Sequence, residues 1–399
     1  MKKILLLSLF SLSLSIFSEA EIQKKAISDN PFDESLIRES NAAIQRAVNF
    51  FTDKQMQNGA WCDHPAITGL CAMAIYKSKT KQNLELKDAA VEKARKYILS
   101  FVNPDGSICK EKDYPNYSTA VCLATLAVIN NPEDYEIMKK ARKYLIRLQC
   151  NEENPDTPMS KDNPFYGGIG YGSAGPGRPD LSNTQWALEA LYLTEFLDKE
   201  PYSKDPKDAE KSKLAWKNAV LFLSRLQNLP ESNDQVWVVK DKNDPNYGGF
   251  VYKPDESKAS LKFEDKKTLR SYGSMTYAGL KSMIYAKLSK DDPRVQAAVE
   301  WAAKNYTLDE NPGMGPEGHF YYLNVFAKAH SVLGEDIIKT DKGEVHNWRV
   351  DLVKKLLELQ KGDGSWKNDK HGRWMESIPE LVTAYSLLAM EAALAPYLN

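Results

Sequence analysis

A helical hairpin that recurs from one end of the chain to the other constrains this fold more than anything else in the sequence. The clearest copy spans residues 350–390. Leu352, Val353, Leu356, Leu357 and Leu359 fall at helical spacing with Lys354, Lys355 and Glu358 between them, so the first helix is amphipathic with one wet face. Gly362-Asp363-Gly364 ends it, because glycine tolerates positive φ and costs helix stability. Trp366 follows, a ring able to pack back onto the helix the chain has just left. A second helix starts near Pro379, a residue suited to a first helical turn, and its run Leu381 to Met390 carries no charge. A helix that is apolar all round is a buried helix. One wet helix and one buried helix cannot stand alone, so neighbouring copies must cover them.

Five further copies are anchored on glycines at 59, 106, 168, 249 and 313, ahead of the sixth at 364. Their second helices are expected at 65–76, 117–128, 182–193, 274–286 and 320–333, and the pentapeptide Lys-Ala-Arg-Lys-Tyr opens both 93–97 and 140–144. The uneven spacing is explained by a constant hairpin with variable loops. Insertions at 150–164, 229–247 and 253–267 are rich in Asp, Asn, Lys and Pro and read as surface loops. Val236 to Val239 is the place where a small β-hairpin is expected. Because Ile67 to Ile75 and Leu381 to Met390 are uncharged, as if packed on both sides, closure is favoured over an open superhelix. The expected fold class is all-α, an (α/α)6 toroid with two concentric rings of helices.

Residues 1–20 read as a secretory signal, with Lys2 and Lys3 ahead of an apolar run from Ile4 to Phe17 that is too short for a comfortable membrane span. Residues 21–40 are then a lead-in and 41–399 a single toroid domain. The protein is expected to be exported, periplasmic or secreted, with no stable membrane anchor. With 53 basic and 54 acidic residues the net charge is −1, which gives no support for nucleic acid or an anionic membrane as partner.

The segment Gln360, Gly364, Ser365, Trp366 resembles the QW motif of squalene–hopene cyclases. Leu148-Gln149 and Leu226-Gln227, each followed later by Gly-Gly-Ile or Gly-Gly-Phe, are similar to the turns of protein prenyltransferase β-subunits. RPDLSNTQWALEAL, RSYGSMTYAGLKS and NYTLDENPGMG are similar to exported bacterial proteins with prenyltransferase/squalene-oxidase repeats. The resemblance, spanning 42–397, implies a terpenoid cyclase/prenyltransferase toroid with an isoprenoid or similar apolar ligand in a central cavity and a site at the mouth of the ring, where the inner helices begin. The catalytic motifs do not carry over. No Asp-x-Asp-Asp segment is present; Asp291-Asp292 precedes Pro293 in a loop. Nor does an inner helix open with Asp-x-Cys: the fourth and fifth open with Arg270-Ser271-Tyr272-Gly273 and His319-Phe320-Tyr321-Tyr322.

The mouth would collect the polar residues at those starts. Asp63, His64, Asp113, Asp180, Glu376 and Glu380 are the candidate acids and bases, although Asp113, Asp180 and Glu376 equally suit helix capping. Tyr117, Arg178, Arg270, Tyr272, Tyr277, His319, Tyr322, Arg373 and Trp374 are the candidate ligand contacts. Arg178, Arg270 and Arg373 could grip a phosphate or carboxylate, or form surface ion pairs worth little. Histidines at 64, 319, 330, 346 and 371 have no metal-ligand spacing, so neither a metal nor a cofactor is expected. Cys62 and Cys109 occupy matching places in adjacent repeats; a bridge between them and two separate thiols are both open. Three functions remain: action on or binding of an isoprenoid, carbohydrate-active chemistry on the same toroid (a polysaccharide lyase or glycosidase), and a non-catalytic interaction scaffold.

Overall fold

A computed structural model describes residues 30–78, 84–111, 113–172, 178–203, 216–259 and 268–397. The expected signal segment and part of the 253–267 insertion lie outside them. Twelve described helices alternate between two layers. The outer helices are α1 (Glu34–Lys54), α3 (Leu84–Leu99), α5 (Tyr135–Arg147), α7 (216–224), α9 (Pro293–Lys304) and α11 (Trp348–Leu359). The inner helices are α2 (Pro65–Lys77), α4 (Pro115–Ile129), α6 (Leu181–Leu193), α8 (Gly273–Tyr285), α10 (His319–Leu333) and α12 (Pro379–Leu394). Outer helix α1 buries one stripe, Leu36, Ala43, Ile44, Ala47, Val48 and Phe51, whereas α2 buries every residue from Pro65 to Ile75. Helix α1 starts inside the expected lead-in because Asp33 caps it, accepting from Leu36 N at 2.8 Å.

The inner helices pack in order around a closed circle, with α12 returning to α2. All six begin at the same end, as contacts between successive starts show. His64 lies 4.0 Å from Asp113, Asn116 N donates to Tyr171 O, Leu181 N to Tyr252 O, Gly273 N to Pro312 O, Tyr321 N to Glu376 Oε1, and the Cys71 thiol lies 3.6 Å from Glu380 O.

The recurring turn is a clasp. Gln360 Nε2 donates to Gly364 O of its own turn (3.0 Å) and to Ala43 O of α1 (2.9 Å), closing the ring's seam. Gln55 does the same between Gly59 O and Ala90 O, and Gln227 between Gly248 O and Arg294 O. Gly364 must be glycine: its φ is +86° and a Cβ would stand 2.4 Å from Arg46 O. In the third and fourth repeats the positive-φ glycine is Gly167 or Gly248, one residue before the glycines used as anchors above. Trp366 and Trp61 pack back as expected, their indoles donating to Leu356 O (2.8 Å) and Phe51 O (3.0 Å), and each backbone N–H donates to an inner-helix threonine, Thr383 or Thr68. At the seam Phe32 meets Tyr397 edge to face, ring centres 5.5 Å apart.

The expected strand at Val236–Val239 is absent. Trp237, Val238 and Val239 are buried as a loop, so their hydrophobicity reflects packing. The β-hairpin is instead β1 (Ile337–Lys339) with β2 (Val345–Asn347), paired antiparallel between α10 and α11.

Candidate functional site: the mouth and axis of the ring

Three uncharged-looking inner helices each carry a charge, and the three charges meet. Lys281 Nζ lies 2.5 Å from Glu189 Oε2, Lys328 Nζ lies 2.6 Å from Glu189 Oε1, and Lys281 also donates to Gln185 Oε1. Lys281 is fully buried. Burial pushes the Glu189 carboxyl up, but the two ammoniums outweigh it and hold the group at about 2; burial drops Lys281 to about 8 despite Glu189. Both ammoniums also sit over the Trp186 ring, at 5.6 and 4.7 Å. Gln185 Nε2 reaches the Tyr321 hydroxyl at 3.3 Å, the Tyr321 ring lies 5.9 Å from Tyr385, and Tyr117 stands 6.0 Å from Trp186. A tyrosine layer thus overlies a saturated Lys–Glu–Lys network.

Around the mouth, loop residues supply aromatic surface. Tyr114 and Tyr171 are 54 % and 41 % exposed with ring centres 5.7 Å apart, and the Tyr171 hydroxyl is 3.1 Å from that of Tyr252. Trp374, 40 % exposed, rests against Gly318 at the start of α10, with the Arg373 guanidinium 4.6 Å over its ring.

The acids and bases read from the sequence are mostly engaged. Asp180 is the N-cap of α6, accepting from Asn183 N (2.9 Å) and Nδ2 (2.8 Å); burial raises its carboxyl to about 6. Glu376, fully buried, caps α10 from the neighbouring repeat, accepting from Tyr321 N and from Asn368 Nδ2 (2.7 Å); burial raises it to about 7 against those hydrogen bonds. His64 caps α2 through Nδ1, and burial lowers its pKa despite Asp113 nearby. Asp63 is exposed and accepts from Lys110 (2.8 Å) and Tyr97 (2.9 Å), bonds that lower its pKa. Asp113 is exposed beside His64, and Glu380 stands beside Cys62.

Among the ligand candidates, Arg178 pairs with Asp255 and Arg373 with Glu317, so these two arginines already hold carboxylates of their own chain. Arg270 is exposed and its carbonyl accepts from Ser257. Tyr272 is buried at the start of α8, and His319 Nε2 bonds Leu308 O at 2.8 Å. Two candidates point away from the mouth. The Tyr322 hydroxyl donates to Thr307 O toward the outer layer, and Tyr277 packs between Tyr322, Phe326 and His330; one helical turn of spacing placed both at the wrong face. None of the five cysteines is in a disulfide; Cys62 is exposed and Cys109 is buried against Ser107 and Asn103, so the Cys62–Cys109 bridge is not formed. Among the described residues no group of three His, Cys, Asp or Glu is gathered, and no helix is long and apolar enough to cross a membrane. The sequence reading missed Tyr114, Tyr171 and Tyr252, which lie in loops, and the Glu189–Lys281–Lys328 network, which announced itself as lone charges inside apolar helices.

No protein-family model and no curated protein sequence matches the chain. Solved structures do. A single-residue variant of the type II terpene cyclase MstE from Scytonema, in its apo form, is 14 % identical with a TM-score of 0.52, covering 92 % of this chain and 100 % of that one. Another variant of the same cyclase, in complex with geranylgeranyl dihydroxybenzoate, gives 13 % identity and 0.52 over 91 % and 99 %. The GH76A alpha-1,6-mannanase from Salegentibacter sp. HEL1_6 gives 11 % identity and 0.55 over 90 % and 99 %. The shared element is the α/α toroid, which carries different chemistry in the two enzymes.

Proposed function

We propose that this toroid binds a hydroxyl-rich ligand, a carbohydrate, at its mouth. The observation that carries the reading is the division of the ring axis. Its top is a layer of tyrosine hydroxyls and rings, flanked by the partly exposed Tyr114, Tyr171 and Trp374, the last with Arg373 over its ring; its interior is closed by Glu189, Lys281 and Lys328. Flat aromatic faces beside hydroxyl and amide groups suit sugar rings, which offer C–H faces and many hydroxyls. Binding is favoured over hydrolysis because the two carboxyls at the mouth with raised pKa, Asp180 and Glu376, are both buried and committed to helix caps.

An isoprenoid held in the axis is the second reading, favoured by Tyr117, Trp186, Tyr321 and Tyr385 converging there. Against it, the Trp186 face already carries two ammoniums, so a carbocation would develop beside like charge. Titration calorimetry with an alpha-1,6-mannan oligosaccharide series and, in parallel, geranylgeranyl dihydroxybenzoate separates the two. Saturable heat from the glycan, lost in Tyr171→Ala and in Trp374→Ala, supports the proposal. Heat from the isoprenoid alone, lost in Trp186→Ala, replaces it with the second reading. No heat from either overturns both.

A further inference from the structure

A cavity lies away from the mouth, between the two helix layers. It has a volume of about 320 Å³ and is lined by Tyr277 and Leu280 of α8, Val299, Ala302 and Ala303 of α9, His330 and Leu333 of α10, and the β1 strand. His330 and Leu333 belong to the last turns of α10, whose first turn is at the mouth, so helix length separates the two places. Its walls are apolar apart from a few groups. Glu335 and Lys339 are exposed at the β1 side. Deeper in, His330 and Tyr277 are buried, with 5 % and 1 % exposure.

One of those two groups has a property rare for a buried polar atom. His330 Nε2 makes no hydrogen bond among the described residues, and the Tyr277 hydroxyl has only the Tyr322 phenol beside it. That phenol donates to Thr307 O at 2.7 Å, which leaves its oxygen to accept from Tyr277. The His330 ring is held by aromatic neighbours, stacked on Trp348 at 5.4 Å and edge-on to Phe326 at 4.6 Å. Packing therefore fixes the imidazole without satisfying it. A buried polar atom without a partner costs stability, and water or a ligand group that supplies one recovers it.

We propose that this cavity is a binding site for a compact apolar molecule bearing one hydroxyl. The size follows from the volume: at the roughly 30 Å³ share of a liquid water per heavy atom, about ten non-hydrogen atoms fit. The hydroxyl follows from the unpartnered imidazole nitrogen of His330. It both donates and accepts, so it complements Nε2 in either tautomer and the phenol as well. The apolar body follows from Leu280, Val299, Ala302 and Leu333. A charged ligand is disfavoured because burial among these apolar walls penalises the charged form.

The test uses the whole chain with 2-naphthol and naphthalene, followed by ligand fluorescence. Saturable one-to-one binding of 2-naphthol, about tenfold tighter than naphthalene, is the expected result, one net hydrogen bond being worth about that factor. His330→Phe removes the discrimination and leaves naphthalene bound. Ala303→Phe, at a half-buried position that tolerates bulk, abolishes both; Ala302→Leu is the milder second filler. Tyr171→Ala, at the mouth, changes neither. The proposal is overturned if 2-naphthol does not saturate on a protein with native circular dichroism, if both fillers fold and leave binding intact, or if His330→Phe keeps the tenfold preference.

Discussion

The sixth repeat and the fifth are neighbours in sequence and in the ring, yet they are built differently. The sixth has every part of the clasp: Gln360 bridging two carbonyls, Gly364 against Arg46, Trp366 wedged between layers, Thr383 receiving its N–H. In the fifth, Gly315 stands where the wedge should be and the inner helix α10 contains no threonine. The side-chain amide of Asn324 is fully buried with neither atom bonded, and the cap of α10 is borrowed from Glu376 in the next repeat. The off-axis cavity borders this same repeat. The contrast teaches that the ring needs most of its clasps but not all, and that the repeat lacking one leaves space between the layers.

The comparison can be broken hardest at the wedge. Trp366→Ala removes a fully buried ring and its hydrogen bond, and should cost about 3–5 kcal/mol in chemical denaturation. Glu376 tests the borrowed cap through pH. Its folded pKa of about 7 lies above the unfolded 4.5, so the folded state holds a proton that the unfolded state has released, and stability falls as pH rises across that window. The change across that window is about 3 kcal/mol. Glu376→Gln should flatten that part of a stability-against-pH curve relative to the parent, a difference insensitive to Asp180, which titrates in both proteins.

Gln360→Ala opens the seam while leaving Trp366 in place, and about 1–3 kcal/mol of destabilisation is expected from two lost bonds to buried carbonyls. An unchanged midpoint would show that the wedge alone closes the ring. The smallest effect has the opposite sign. Asn324→Leu replaces an unsatisfied amide by an apolar side chain of similar size and should stabilise by about 1 kcal/mol, read as a raised denaturation midpoint; a loss of stability would mean that the amide has a partner in solution.

The toroid was legible because its signals are local: glycine turns, an aromatic two residues on, and uncharged helices at regular places. The inner helices begin within two residues of where the pattern puts them. The site was less legible, because position along an inner helix does not say which way a side chain faces. Tyr277 and Tyr322 sit in the right helices and turn away from the mouth. Glu189, Lys281 and Lys328 could be seen as charges but not as one cluster, since they come from three helices separated by long loops. The hairpin at Ile337–Asn347 was hidden by its shortness, and Val236–Val239 mimicked a strand because a loop residue can be buried as fully as a strand residue.

The contact between Phe32 and Tyr397, beside the Gln360 seam, has a consequence for how the chain can be rewired. A short linker from residue 397 to residue 32 would span a gap already bridged by packed rings, and new termini could then be cut in any inter-repeat loop. The architecture would treat the old junction as one more repeat boundary. Circular permutants of this protein should fold with the same clasps and differ chiefly in which repeat is left to close the circle last.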